Sequence, residues 1–71
     1  ADRGPVFAEF RETRMIRSGP WKYIEDPGWD VQQLFHLGED PEELHNRVRE
    51  EPRLVTELSA QIRDWLKRTE V

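Results

Sequence analysis

Apolar and polar positions alternate through the first half of this chain and switch to a helical period in its last third. Val6, Ala8 and Phe10 share one side of a short extended run, with Phe7, Glu9 and Arg11 on the other. Gly4-Pro5 breaks the chain ahead of that run. A second strand is predicted over 13–17, with Met15 and Ile16 on opposite faces. Ser18-Gly19-Pro20 is its turn, because glycine supplies backbone freedom and proline cannot donate to a ladder. The third strand, 21–25, points Trp21, Tyr23 and Glu25 one way and Lys22 and Ile24 the other. Asp26-Pro27-Gly28 is a second breaker, and a fourth strand is predicted over 33–37 with Gln33, Phe35 and Leu37 on one side.

Helical signals then take over. Asp40 suits an N-cap, Pro41 a first helical position, and Glu43 completes a capping box, so a turn or short helix is expected over about 40–47, ending near Asn46. Glu51-Pro52 opens a longer helix over about 52–68. Leu54, Val55, Leu58, Ile62, Trp65 and Leu66 make its apolar stripe, and Glu57, Gln61, Asp64 and Arg68 point away. Strands first and a helix last predict an α+β arrangement. It is a small antiparallel sheet of about four strands, spanning about 6–37, with one face covered by the C-terminal amphipathic helix. The other face has no cover within the chain, and Phe7 and Trp29 are left over as aromatic surplus. That surplus reads either as a docking surface or as ordinary scattered surface apolars, and the residues alone leave both open.

Composition bounds the picture. Seventy-one residues make one domain, with 35% apolar and 37% charged residues and hence a small core. Ordering such a chain costs ~1.5 kcal/mol per residue, which the buried area roughly cancels. No cysteine is present, so neither a disulfide nor a thiolate metal site staples the fold; this says little about compartment. The chain opens at Ala1 and its one methionine is Met15, as expected of an excised or processed segment. No apolar run approaches the ~20 residues needed to span a bilayer, so no membrane partner is expected. Residues 1–24 carry five bases against three acids, and residues 25–71 six bases against twelve acids. The acidic part disfavours a nucleic-acid partner, and the basic part has an acidic half to pair with.

Little in the chain suggests chemistry. His36 and His45 form no metal spacing. The acidic cluster Glu39, Asp40, Glu42 and Glu43 lacks the alternating pattern of a calcium loop, and charge at a helix N-terminus explains it more simply. Ser18 and Ser59 have no nucleophile-elbow context, and paired carboxylates need a cleft that so small a domain hardly offers. Arg14, Arg17 and Lys22 lie near Trp21 and Tyr23, a pattern that suits single-stranded nucleic acid but equally any half-exposed strand pair. No activity is expected from this chain alone.

Two segments carry a resemblance. Arg17-x-Gly19 with Lys22-Tyr23-Ile24, then Leu34, Phe35 and Leu37, then Asp40, Pro41, Glu43 and Asn46, resemble in order and spacing the C-terminal subdomain of the sulfatase family. The resemblance runs from Val6 through Trp65, in pattern more than in residues at its ends. Here His36 stands where the family commonly has Asp, Pro20 follows the hairpin glycine, and Arg47 stands where leucine is usual, with Val48 able to supply the apolar contact. The resemblance implies a parent that hydrolyses sulfuric esters with a formylglycine, made from Cys or Ser in a Cys/Ser-x-Pro-x-Arg motif, and with a calcium or magnesium ion. Those groups belong to the family's large N-terminal domain. No such motif occurs here, so no catalytic or metal residue and no cofactor is carried over. The implied partner is the catalytic domain of the same parent chain, and the implied role is to pack on it and border the substrate pocket. Within that frame Lys22 is a candidate contact to an anionic substrate, though a solvated strand lysine explains it as well. Tyr23, Phe35, Asp40, Pro41, Glu43, Asn46 and Trp65 are structural, Asn46 bonding the backbone of its own turn. An independent protein-interaction module using an exposed sheet face or edge is the alternative.

Overall fold

The computed structural model describes residues 4–28 and 30–69. Four strands, β1 (Val6–Phe10), β2 (Thr13–Ser18), β3 (Trp21–Asp26) and β4 (Val31–His36), precede one helix, α1 (Pro52–Thr69). The strands lie in chain order and every neighbour is antiparallel. The fold is therefore α+β. The fourth strand starts two residues earlier than the alternation implies and stops before Leu37, which enters the turn after it.

Tight turns set the register. Phe10 pairs with Thr13 across Arg11-Glu12, and Ser18 with Trp21 across Gly19-Pro20. Gly19 has φ 59°, and a following proline cannot share that sign, which selects a primed turn matched to the twist of the strands. Arg11 takes the same φ of 59° without being glycine and lays its guanidinium 5.6 Å from the centre of the Phe10 ring.

The register places Phe7, Ile16, Tyr23 and Leu34 side by side on one face. Ile16, Tyr23 and Leu34 are fully buried there with Leu58 and Ile62 of α1, and Val48, Leu54, Val55 and Leu66 pack around them. Each fully buried aliphatic contributes ~1.5–3 kcal/mol, so this single layer holds the domain. Phe7 is not surplus. Its ring stacks on Trp65, centroids 5.0 Å apart and 6° from parallel, at the far end of the helix. Trp29 lies outside the described residues.

No helix forms over 40–47. The chain there makes turns joined by irregular backbone, and Glu43, with φ 57°, interrupts any helical run. Asp40 instead accepts from the amides of Leu44 and His45, at 3.0 and 2.9 Å, and closes a loop. Glu43 completes no capping box; its carboxylate pairs with Lys22 at 2.9 Å. The long helix does start at Pro52, where a missing N–H costs nothing, and carries Lys67 and Arg68 in its last turn.

Candidate functional site

The register dictates which backbone groups each edge of the sheet presents. A two-residue turn makes its flanking pair a mutually hydrogen-bonded one, and such pairs then alternate along the ladder. On this rule Gln32, Leu34 and His36 point their N–H and C=O away from β3, out of the β4 edge. Both outward groups of Leu34 and the carbonyls of Gln32 and His36 are closed from within the chain. Asn46 Oδ1 accepts from the Leu34 amide at 2.9 Å, and its Nδ2 donates to the Gln32 carbonyl at 3.1 Å. Arg47 N–H donates to the Leu34 carbonyl at 2.7 Å, and the His36 carbonyl accepts from Glu39 and Asp40. Asn46 also accepts from Val48 N–H within its own turn, at 3.1 Å. The sequence reading foresaw that local bond and missed the two that reach the sheet.

The opposite edge, β1, is different. The same rule sends the N–H and C=O of Phe7 and Glu9 outward. None of the loop, turn or side-chain hydrogen bonds among the described residues reaches them. Val6 and Phe10 stand 53% and 73% exposed on this strand.

The face turned away from α1 joins that edge. Val6, Ala8 and Phe10 of β1 align there with Met15 of β2 and Ile24 of β3. No helix covers it. Phe35, on the same face of β4, is only 6% exposed. It neighbours Lys22 in the ladder, and the Lys22–Glu43 ion pair brings the loop between β4 and α1 to that side. Lys22 is thus tied to this chain's own carboxylate. The surface is apolar toward β1 and Val31, and capped toward the loop.

Most of the groups weighed for chemistry are engaged structurally. The His36 ring sits edge-on to Trp21 at 4.8 Å and its Nδ1 accepts from Glu39 N–H at 3.1 Å. Arg47 lies over the other aromatic partner of that cluster, 5.5 Å from the Trp21 ring. His45 bonds Glu50, whose carboxyl is held below its ordinary range chiefly by that hydrogen bond. Asp40 is lowered by the Leu44 amide first and the His45 amide second. Tyr23 is raised by burial, and its phenol oxygen accepts from Gln32 Nε2 at 3.1 Å. Ser59 donates to Glu25 at 2.8 Å. The buried Asp26 accepts from Thr13 Oγ1 at 2.7 Å and from Gly28 N–H at 3.1 Å. Among the described residues no three His, Cys, Asp or Glu side chains gather as a metal-binding group. No helix among them is long and apolar enough to cross a membrane.

What the described residues present is a sheet face left partly exposed beside the β1 edge. Sequence alternation had already grouped Val6, Ala8 and Phe10; what it lacked was the sign of the face, which Phe7 stacked under Trp65 supplies.

Comparison with known proteins agrees on kinship. No family model matches the chain. Arylsulfatase K of Rattus norvegicus is 47% identical over 53 residues, covering 72% of this chain and 9% of that protein. Arylsulfatase K of Mus musculus is 45% identical over 53 residues, covering 72% of this chain and 10% of its own length. The chain thus spans about a tenth of the length of the curated relatives it matches. Over that stretch it is a sequence relative of the sulfatases.

Proposed function

We propose that this chain is the non-catalytic C-terminal subdomain of a sulfatase-type sulfuric ester hydrolase. It packs on the catalytic domain of its own parent and borders the substrate pocket. The observation that carries this reading is the 47% identity over 53 residues to a protein of which that stretch is 9%. Such identity in so short a piece points to a part whose surroundings matter. The open apolar face supports the same reading, because one uncovered sheet face on a small domain costs solubility unless something larger covers it.

The chemistry follows from this division of labour. The parent supplies the nucleophile and the calcium or magnesium ion. This segment supplies a rigid wall. Its helix-side core fixes the sheet, the Asn46 clasp fixes the loop against β4, and Lys22 is held in place by Glu43. In this reading Lys22, neutralised by Glu43 at 2.9 Å, borders the pocket as a hydrogen-bond donor rather than as a free positive charge, without touching the reacting atoms.

The test is complementation. The parent is expressed without this segment, and the 71-residue chain is added back. Recovery of soluble, active sulfatase on mixing is the expected result. Two components that neither bind nor rescue each other would contradict the subdomain role.

A further inference from the structure

The two edges of the sheet are finished differently. On β4 both outward groups of Leu34 and the carbonyls of Gln32 and His36 are closed from within the chain, through Asn46, Arg47, Glu39 and Asp40. Among the described residues no loop, turn or side-chain hydrogen bond closes the outward pairs of Phe7 and Glu9 on β1. Isolated domains blunt an edge by keeping it very short, with charged side chains, with proline or a bulge, or with a covering loop. β1, VFAEF, pairs residue for residue with β2 without a bulge and has no proline or lysine; its short length and the single charge of Glu9 are its only such devices.

We infer that β1 is a pairing edge, and that its occupant is an extended strand from the parent's own catalytic domain. The inference rests on the subdomain reading above and deepens it by naming the contact. A strand added here continues the ladder through the N–H and C=O of Phe7 and Glu9. Its side chains on the open face meet Val6, Ala8 and Phe10, so they are apolar. On the helix side it meets Glu9, whose carboxylate is 41% exposed and only loosely held by Arg14 at 3.7 Å. A basic residue in the incoming strand complements that charge.

A second copy of this chain fits less well. Two β1 strands paired about Ala8 make the two Glu9 carboxylates diagonal neighbours on one face, where like charges repel.

The register supplies a clean variant. Glu9 N–H points outward, so Glu9→Pro deletes an edge donor without touching the β1–β2 ladder. Ala8 N–H points inward to Met15, so Ala8→Pro breaks that ladder. Glu9→Gln keeps the donor and removes only the charge.

The probe is the parent polypeptide lacking residues 1–71, titrated with the chain by calorimetry. Amide exchange of the chain is followed by NMR in the free and bound states. The unsubstituted chain is expected to bind, with the Phe7 and Glu9 amides slowed about 100-fold or more while the Leu34 amide, already bonded to Asn46, barely changes. Glu9→Pro is expected to weaken binding about tenfold or more, and Glu9→Gln far less. Full-strength binding by a folded Glu9→Pro chain, or unaltered exchange at Phe7 and Glu9 in the complex, overturns the edge while leaving the subdomain reading intact. If Glu9→Pro fails to fold, the exchange comparison on the unsubstituted chain decides alone. No binding by the unsubstituted chain overturns both. Protection of the same amides on concentrating the chain by itself makes the occupant a second copy and overturns the inference.

Discussion

Asn46 is the most economical place to test how this domain is held together. One side chain makes three hydrogen bonds, to Leu34 N–H, Gln32 C=O and Val48 N–H, and it closes β4 over sequence separations of twelve and fourteen residues. Each such bond contributes about 0.5–1.5 kcal/mol net, less where water can replace the partner. Asn46 itself is exposed, so the sum for Asn46→Ala is about 2 kcal/mol rather than the upper limit. A core this small rarely supplies more than about 3–5 kcal/mol in total. Truncation should therefore remove about half of the stability. Asn46→Asp keeps the acceptor oxygen and loses the donor to Gln32, so it should cost about 1 kcal/mol, the smaller of the two. Urea unfolding followed by tryptophan fluorescence measures both. The reasoning is refuted if Asn46→Ala changes stability by less than about 0.5 kcal/mol, or if Asp costs more than Ala.

Three further outcomes are expected. Trp65→Ala removes the stack on Phe7 and part of the helix–sheet contact, and should cost ~3 kcal/mol by the same assay; a near-unchanged midpoint would mean the stack is incidental. Lys22→Ala breaks a half-exposed ion pair and should cost under about 1 kcal/mol in the chain, so a larger loss would show that Glu43 anchors the loop more than the geometry suggests. Stability should also fall at both ends of the pH range. Asp40 and Glu50 have folded pKa values below their ordinary 3.8 and 4.5, so their contribution is present above those values and is lost as pH drops through the folded ones. Tyr23 is raised above 10.0 by burial, so its contribution is complete below pH 10.0 and is lost as pH climbs through the folded value. Asp40→Asn should flatten the acid limb of a stability–pH profile and Tyr23→Phe the alkaline limb; unchanged limbs would place the titrating groups elsewhere.

The sheet was legible because its signals are local. Alternation paired with Gly19-Pro20 and Pro27-Gly28 locates the strands, and the 3.6-residue stripe from Leu54 to Leu66 locates the helix. The turn over 40–47 is legible, but the capping box read into it is not realised, for a definite reason. An acidic residue followed by proline and glutamate is the same string whether its carboxylate meets the first amides of a helix or the amides of Leu44 and His45 in a closed loop. Only Glu43, in a left-handed conformation, separates the two cases, and nothing about glutamate announces it. Phe7 was assigned to the surplus because alternation tells which residues share a face but not how far along the helix its cover extends. The reach of Asn46 to Gln32 and Leu34 leaves no short-range trace at all. The candidate surface was half visible. Val6, Ala8 and Phe10 were grouped correctly, while the contrast between the β1 and β4 edges needed the register in three dimensions.

The proposed function depends on the open face and β1 edge being covered by the larger parent it invokes. Phe10, 73% exposed here, reports on that directly. A Phe10→Cys thiol, read by mass spectrometry of its own peptide after brief alkylation, should react readily in the separate chain and be strongly protected in the intact parent, while an Ala60→Cys control on the solvent side of α1 reacts in both. Equal labelling of Phe10→Cys in the two settings would contradict the account.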